Sequence, residues 1–502
     1  MKNFDPDTEL DYSPTDVLFG EPSFSQLRTL ILSSISSGEQ QHWTSTTHLF
    51  VRVSRQLSEE DFSGEHSLLR FVQTFRTAEK VYWRDREGKR EIAGVGIAHS
   101  IQGSSEALSS ILRRVQDATQ HAPHNVRYFG GTRFYAASEP DDVWQHFLET
   151  AFLLPFIELE RFGTDALTLH CTISVPYDTS LEAARETMFE RFQALQPERF
   201  YADSESFAIQ PNVFTNVLKR TNTPDKQAWS ASIHAALEEF EAGTLEKVVL
   251  ARRVRLECTE QPDATALLQE RLRTAERATA VLLQFDHATQ FFAATPELLY
   301  KRDGRLISTE AVAGTRKRGA NTSDDAIIAE ELLTSDKDRR EHASVQRYIA
   351  SALDELTESF SIGTVELLKL STMQHLHAPF SGRLRANIDD AAILEQLHPT
   401  PAVGGTPRRE AALFLQHTET FDRGWYAAPV GWLNAHAAEF VVAIRSALVQ
   451  GASVYVFSGA GIVAGSEAEA EWREIELKIA PLLKLFQVNE EREAVDETLT
   501  KK

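Results

Sequence analysis

The sequence predicts an α+β fold, with antiparallel sheets layered against helices, and three observations carry that expectation. Hairpins recur along the chain, amphipathic helices lie between them, and the regular strand–helix–strand alternation of a parallel sheet is missing. In chain order, residues 1 to about 22 are polar and turn-rich and read as a solvated tail. The stretch YWRDREGKREIAGVGI over 82–97 reads as a hairpin turning at its charged centre. SEALSSILRRVQDATQ and LEAARETMFERFQAL follow as helices. DKQAWSASIHAALEEFEAG is a third: Trp229, Ile233, Ala236, Leu237 and Phe240 form one stripe, Thr223-Pro224 precede it and Gly243 stops it. LLYKRDGRLIST is a hairpin in which Asp303-Gly304 supplies the positive φ of a tight turn. A helix is expected over 326–356, a hairpin over 439–463 turning at Gln450-Gly451, and a helix in EAEWREIELKIAPLLKLF. The last residues, 488–502, are mostly charged or polar and read as a second tail. No Pro/Gly/Ser-rich linker separates residues 1–225 from 226–487, so the N-terminal half is expected to pack on the same core as the rest.

The chain has 502 residues, 42% of them hydrophobic and 25% charged, enough to bury a large core. With 52 Lys+Arg against 73 Asp+Glu, the net charge of −21 opposes binding to nucleic acid or an anionic membrane. Cys171 and Cys258 stand alone, which excludes a disulfide framework or a thiolate zinc site. The acidic start and the lack of any run of 18 uncharged apolar residues argue against secretion and membrane spanning, so a cytoplasmic protein is expected.

GxSxG, HExxH, GxxxxGK[ST] and a helix-opening GxGxxG are all missing, so the usual hydrolase, zincin, P-loop and dinucleotide geometries have no footing. His375 and His377 form an HxH pair that either ligates a metal or is held by hydrogen bonds. Two acidic pairs at i, i+3 spacing, Asp338/Glu341 and Glu471/Glu474, each project carboxylates from one helix face. Two such faces meeting would make an oxygen cage suited to Mg²⁺, while each alone is equally read as a solvated helix surface. Lys478, four residues after Glu474, is either an intrahelical partner or a cation for a substrate carboxylate. Arg445 lies mid-strand in VVAIRSALV, where a charge needs a buried anion or an acidic neighbour such as Glu439. Gly459 and Gly461 in FSGAGIVAGS allow a ligand to approach backbone N–H groups, or mark a bulge. Lys247 opens the apolar strand KVVLARRV, and Glu297 is the only charge between Asp286 and Lys301; burial would push the lysine toward a base and the glutamate toward an acid. Both also have plain readings, as a lysine reaching water and an exposed residue after a proline.

Taken together and in order, these segments resemble the chorismate-utilising enzymes of menaquinone, siderophore, folate and tryptophan biosynthesis. The resemblance is close over 240–485 and rests on EKVVLARR, ATPELLYKRDGRLISTEAVAGTRKRG, ELLTSDKDRREHASV, LHPTPAVGGTPRREA, RGWYAAPVGW, VVAIRS and SGAGIVAGSEAEAEWREIELK. WRDREGKREIAGVGIAHS, VRYFGGTRF and AFLLPFIELER resemble, more loosely, the long isochorismate synthases. It implies an αββα layered chorismate-binding fold. It also implies that Lys247 is the base activating a water, and Glu297 the acid protonating the departing C4 hydroxyl. By the same resemblance Glu341 and Glu474 bind Mg²⁺, with Asp338 and Glu471 acting through water. Tyr426, Arg445, Lys478 and the backbone at Gly314 and Gly459 would hold substrate carboxylates, Thr315 would also bind substrate, and His375 would line the site. Mg²⁺ inverts the sign of an acidic cage so that a dianion can enter it.

Within the family, the aminating branches carry Gln at the position of Lys247 or a nucleophilic Lys at the position of Ala313, so neither they nor an obligate amidotransferase subunit is implied. Ala402 and Val403 resemble the apolar residues of synthases that stop at isochorismate rather than expelling pyruvate to salicylate. Ala428 and Gly465 depart from the family pattern and bear on loop shape. The reading is therefore a monomeric, Mg²⁺-dependent isochorismate synthase acting on chorismate. The competing class, a non-catalytic chorismate-binding module, would be expected to have lost Lys247, Glu297 or a cage glutamate, and each of these is present.

Overall fold

A computed structural model describes residues 24–57, 67–75, 79–104, 106–135, 141–163, 167–194, 215–275, 277–286, 288–369 and 373–488. Both expected tails lie outside these residues, apart from Val488 in the short strand Gln487–Val488. The architecture is α+β, as the hairpins require. Strand Arg90–Gly103 pairs along its length with Thr150–Phe162, and the latter forks. Thr150–Leu153 pair with Tyr128–Thr132, while Ile157–Glu160 pair with Thr168–Pro176. From the first branch one sheet continues through Pro429–Leu433, Ala437–Val442, Leu298–Asp303, Leu306–Lys317 and Met373–Leu384. On the far side of Arg90–Gly103 the other runs through Lys80–Arg84, Thr279–Gln284, Thr289–Thr295, Ser446–Gln450, Ser453–Val463 and Lys247–Cys258. These pairings are antiparallel, and two of them join a strand of the first 225 residues to a later one.

The sheets bury apolar residues against each other and against helices. Helix Asp336–Leu356 contributes Val345, Ile349, Leu353 and Leu356 to the core that holds Ile307, Ala311 and Phe380 of one sheet. Helices Lys226–Glu241 and Ala468–Leu483 pack Trp229, Ile233 and Ile475 against Val248, Leu250, Ala460 and Ile462 of the other. Burial of this kind, at about 25 cal/mol per Å² of apolar surface, is the main favourable term holding the layers together.

Three local expectations are corrected. The helix expected over 326–356 is two, Thr322–Thr334 and Asp336–Leu356, because Ser335 leaves the helical region and its Oγ accepts from the Asp338 N–H at 3.3 Å, capping the second. The hairpin expected over 439–463 is divided between the sheets: Ala437–Val442 belongs to one and Ser446–Gln450 to the other. Its tight turn lies one residue further on than expected, since Gln450 pairs with Ser453, and Asp303 pairs with Leu306 in the same way. Among the described residues no helix is long and apolar enough to cross a membrane.

Candidate active site

The sheets exchange chain at two neighbouring crossings, Thr295 to Leu298 and Val442 to Ser446. The Thr295 hydroxyl donates to the Val442 carbonyl at 2.7 Å, and the Val442 N–H donates to the Glu297 carbonyl at 3.1 Å. Glu297 and Arg445 are therefore placed by the same backbone feature. Arg445 is not mid-strand, as the apolar run suggested. It sits in the crossing with φ 55°, a strained value for a side-chain-bearing residue, and no ladder neighbour faces it. Its Nη1 donates to the Lys478 carbonyl at 2.7 Å, and burial lowers the pKa of this half-buried guanidinium. Glu439, the alternative acidic partner, is taken by Lys301 at 3.3 Å.

Burial, and then the charge of Glu310, push the Glu297 carboxyl up to about 7, against the opposing pull of Lys247, Arg86 and Lys478. The buried Lys247 begins strand Lys247–Cys258, and its Nζ donates to Glu341 Oε1 at 2.8 Å. Burial was expected to favour a neutral amine here. The structure gives this amine a carboxylate partner. Burial would raise Glu341, but the charge and hydrogen bond of Lys247, with help from Lys478 and Lys337, hold it low. Gly461 explains the close packing: a Cβ there would lie 3.0 Å from Lys247 Cε.

The next helix brings Lys478 Nζ to Glu474 Oε1 at 2.6 Å and to the Gly459 carbonyl at 2.9 Å. A Cβ on Gly459 would be 3.0 Å from the Tyr426 hydroxyl, whose ring stacks on Phe457 at 5.3 Å. Burial pushes that tyrosine up to about 12, so it stays a neutral donor. Glu471 accepts from the Ser466 hydroxyl at 2.8 Å, and burial, then the nearby charge of Glu474, raise its pKa. Gly314, at φ 73°, forms a bulge beside Asp338; Thr315 Oγ1 is 3.0 Å from His375 Nδ1. Burial, then Arg445 and Lys478, lower His375 to about 4, leaving a neutral imidazole. Its strand neighbour His377 bonds to Glu310 at 3.0 Å, so the HxH pair is held by hydrogen bonds.

The structure thus gathers Lys247, Glu341, Glu474, Glu471, Lys478, Gly459, Tyr426 and Arg445 through shared contacts, with Glu297 within their electrostatic reach. Asp338 lies at the edge, tied to Arg316 at 2.6 Å. The four predicted cage acids do not converge as a compact ligand cluster. Among the described residues that geometry belongs to Glu158, Glu160 and His170, because Glu341 and Glu474 are each drawn to a lysine. Their oxygen chemistry still fits a hard divalent ion, since Glu471 faces Glu474 with only a hydroxyl bound to it. The sequence reading missed Glu310 and Arg86. Glu310 sits in the quoted strand STEAVAGT, and its lone charge among apolar neighbours was the available signal. Arg86, in a polar turn, offered none.

The sequence pattern of the family described as "Chorismate binding enzyme" matches residues 42–487. The chain belongs to this family. It is 34% identical over 368 residues to "Isochorismate synthase, chloroplastic" of Catharanthus roseus, covering 72% of this chain and 62% of that one, so it spans under two thirds of that relative's length. It is 30% identical over 423 residues to "Isochorismate synthase MenF" of Escherichia coli, covering 84% of this chain and 90% of that one. The solved structure of MenF, the menaquinone-specific isochorismate synthase from Escherichia coli, superposes with a TM-score of 0.78 at 28% identity, over 93% of this chain and all of that one. The α+β architecture is that of the family.

Proposed function

We propose that this chain is an isochorismate synthase that converts chorismate to isochorismate, and that it serves menaquinone biosynthesis as its relative MenF is said to. The observation that carries the reading is one cluster holding a lysine amine, a carboxyl raised to about 7 and two further cations, Arg445 and Lys478, suited to a dianion. Lys247 takes a proton from the water that adds at C2. Glu297 gives its proton to the C4 hydroxyl, which leaves as water while the ring double bonds shift, so one water enters and one departs. Arg445, Lys478, the neutral Tyr426 and the backbone at Gly314 and Gly459 bind the carboxylates; Thr315 and the neutral His375 line the wall. Glu341 and Glu474 would hold Mg²⁺ directly, with Asp338 and Glu471 through water. Bound there, the ion would offset the acidic cage and supply a charge for a substrate carboxylate.

Residues 226–487 carry these groups, and the first 225 are proposed to complete the same core, a reading supported by four strand pairings between the halves among the described residues. We further propose a cytoplasmic monomer without an amidotransferase subunit, since Lys247 and Ala313 fit water rather than ammonia as nucleophile. The test is to incubate the protein with chorismate and Mg²⁺ and separate the products. Isochorismate is expected; salicylate with pyruvate, or anthranilate in ammonium, overturns the reading, and no turnover favours a binding module.

A further inference from the structure

Glu310 is buried on the strand Leu306–Lys317. Its Oε1 accepts from the Leu298 N–H at 3.0 Å, the peptide immediately after Glu297. Its Oε2 accepts from Arg86 Nη1 at 2.9 Å, and a second arginine nitrogen, Nη2, bonds Oε1, which makes the pair bidentate. His377 Nε2 lies 3.0 Å from Oε2. Burial would raise this carboxyl, but the bonds to His377, Arg86 and Leu298 hold it at about 2, so it is ionised at any working pH. A fixed negative charge therefore stands beside a second carboxyl. Arg86 belongs to the hairpin turn between Lys80–Arg84 and Arg90–Gly103, in the half of the chain to which no chemistry has been assigned.

We propose that Glu310, clamped by Arg86 from the N-terminal half and by His377, is a positioning residue that both anchors the Glu297 backbone and keeps the proton on the Glu297 carboxyl. Two like charges so close cannot both be ionised cheaply, and Glu310 has the donors, so Glu297 keeps the proton. The other groups acting on Glu297 are Lys247, Arg86 and Lys478, all cations that favour its ionisation, and the buried phenol of Tyr426, whose own ionisation is far above neutral pH. Burial is the largest influence raising Glu297, and Glu310 is the ionised acid that adds to it.

The proposal rests on Glu297 being the acid of the reaction, and the test separates the two. Glu310→Gln preserves shape and the acceptor for Leu298 while removing the charge. The alkaline limb of the kcat/KM profile should then move down by about one pH unit or more, with about tenfold lost above the limb and little lost below it. Arg86→Met exposes Glu297 to an uncompensated Glu310 and should move the same limb upward. A merely structural Glu310 would lower activity equally at every pH, and that outcome, or limbs that stay in place in both variants, overturns the proposal. Thermal unfolding of each variant identifies one that has failed to fold, in which case Glu310→Asp, which keeps the charge, must retain the wild-type limb. If Glu297→Gln itself remains active, the assignment of the acid fails, and Glu310 has nothing to position. If Glu297→Gln is inactive but Glu310→Gln leaves the limb in place, only the present proposal fails.

Discussion

Two acidic clusters in this molecule are built from the same residue types and behave in opposite ways. In the N-terminal half, Glu158 has Arg52 at 2.9 Å, and Glu160 has Arg127 at 3.0 Å and Arg90 at 3.6 Å. Burial would raise Glu160, but its bond to His170 and the charge of Arg127 bring it down to about 2. In the candidate site, Glu471 has a hydroxyl where Glu160 has arginines, and burial, then the charge of Glu474, raise its pKa against the pull of that hydroxyl. Arginine also differs from lysine here: its fork closes on a carboxylate, whereas Lys247 and Lys478 are point charges that can exchange one oxygen partner for another. The first cluster has the tighter ligand geometry and is already neutralised. In the second, Glu341, Glu474 and Asp338 each meet a cation while Glu471 is bonded to a hydroxyl, and that is the opening the proposed Mg²⁺ would fill.

The largest effects should come from separating chemistry from structure. Lys247→Ala and Glu297→Gln are each expected to lower kcat by about 10²–10⁴-fold with an unchanged unfolding temperature, measured by product separation and thermal melts. If either keeps wild-type turnover, the role assigned to it is wrong. Next, chelation should remove chorismate binding together with turnover, read by calorimetry. Glu474→Gln should weaken the Mg²⁺ response about tenfold or more, whereas Glu160→Gln should leave it alone. An equal response in the two variants would erase the contrast between the clusters.

The N-terminal cluster makes the complementary prediction. Arg52→Met leaves Glu158 charged where both side chains are fully buried, and should cost about 3–5 kcal/mol in denaturant unfolding without altering Mg²⁺ half-saturation. The pH dependence follows from Glu297, which must hold a proton to act: kcat/KM should be sustained below about pH 7 and fall roughly tenfold per unit as pH rises through it. A profile that instead climbs across this range would contradict the acid role. The smallest effect is expected at Gly461→Ala, where the new methyl meets the flexible end of Lys247 at 3.0 Å and should reduce kcat by about tenfold or less.

Much of this was legible in the residues. Helical periodicity located Lys226–Glu241 and Ala468–Leu483 to within three residues, and alternation with turn residues located the hairpins at 82–97 and 298–309. Lys247, Glu297, Glu341 and Glu474 were each singled out from local pattern and then ordered by the family resemblance. Ser335 was overlooked because one capping serine in a long periodic run leaves the hydrophobic stripe almost intact. Arg445 was misread because five apolar neighbours in a row look the same whether the strand continues or changes sheets.

What the sequence determined by itself is whatever acts over a few residues: the periods, the caps and turns, the α+β class and the identity of the ionisable groups. Tertiary structure alone decided the partners of those groups. Arg86 and Glu310 are 224 positions apart, and Lys247 and Glu341 are 94 apart. The proton affinity of a buried acid depends on the charges within a few ångströms of it, wherever they lie in the chain, so only the folded protein makes Glu310 a fixed anion and Glu297 a carboxyl that can keep its proton.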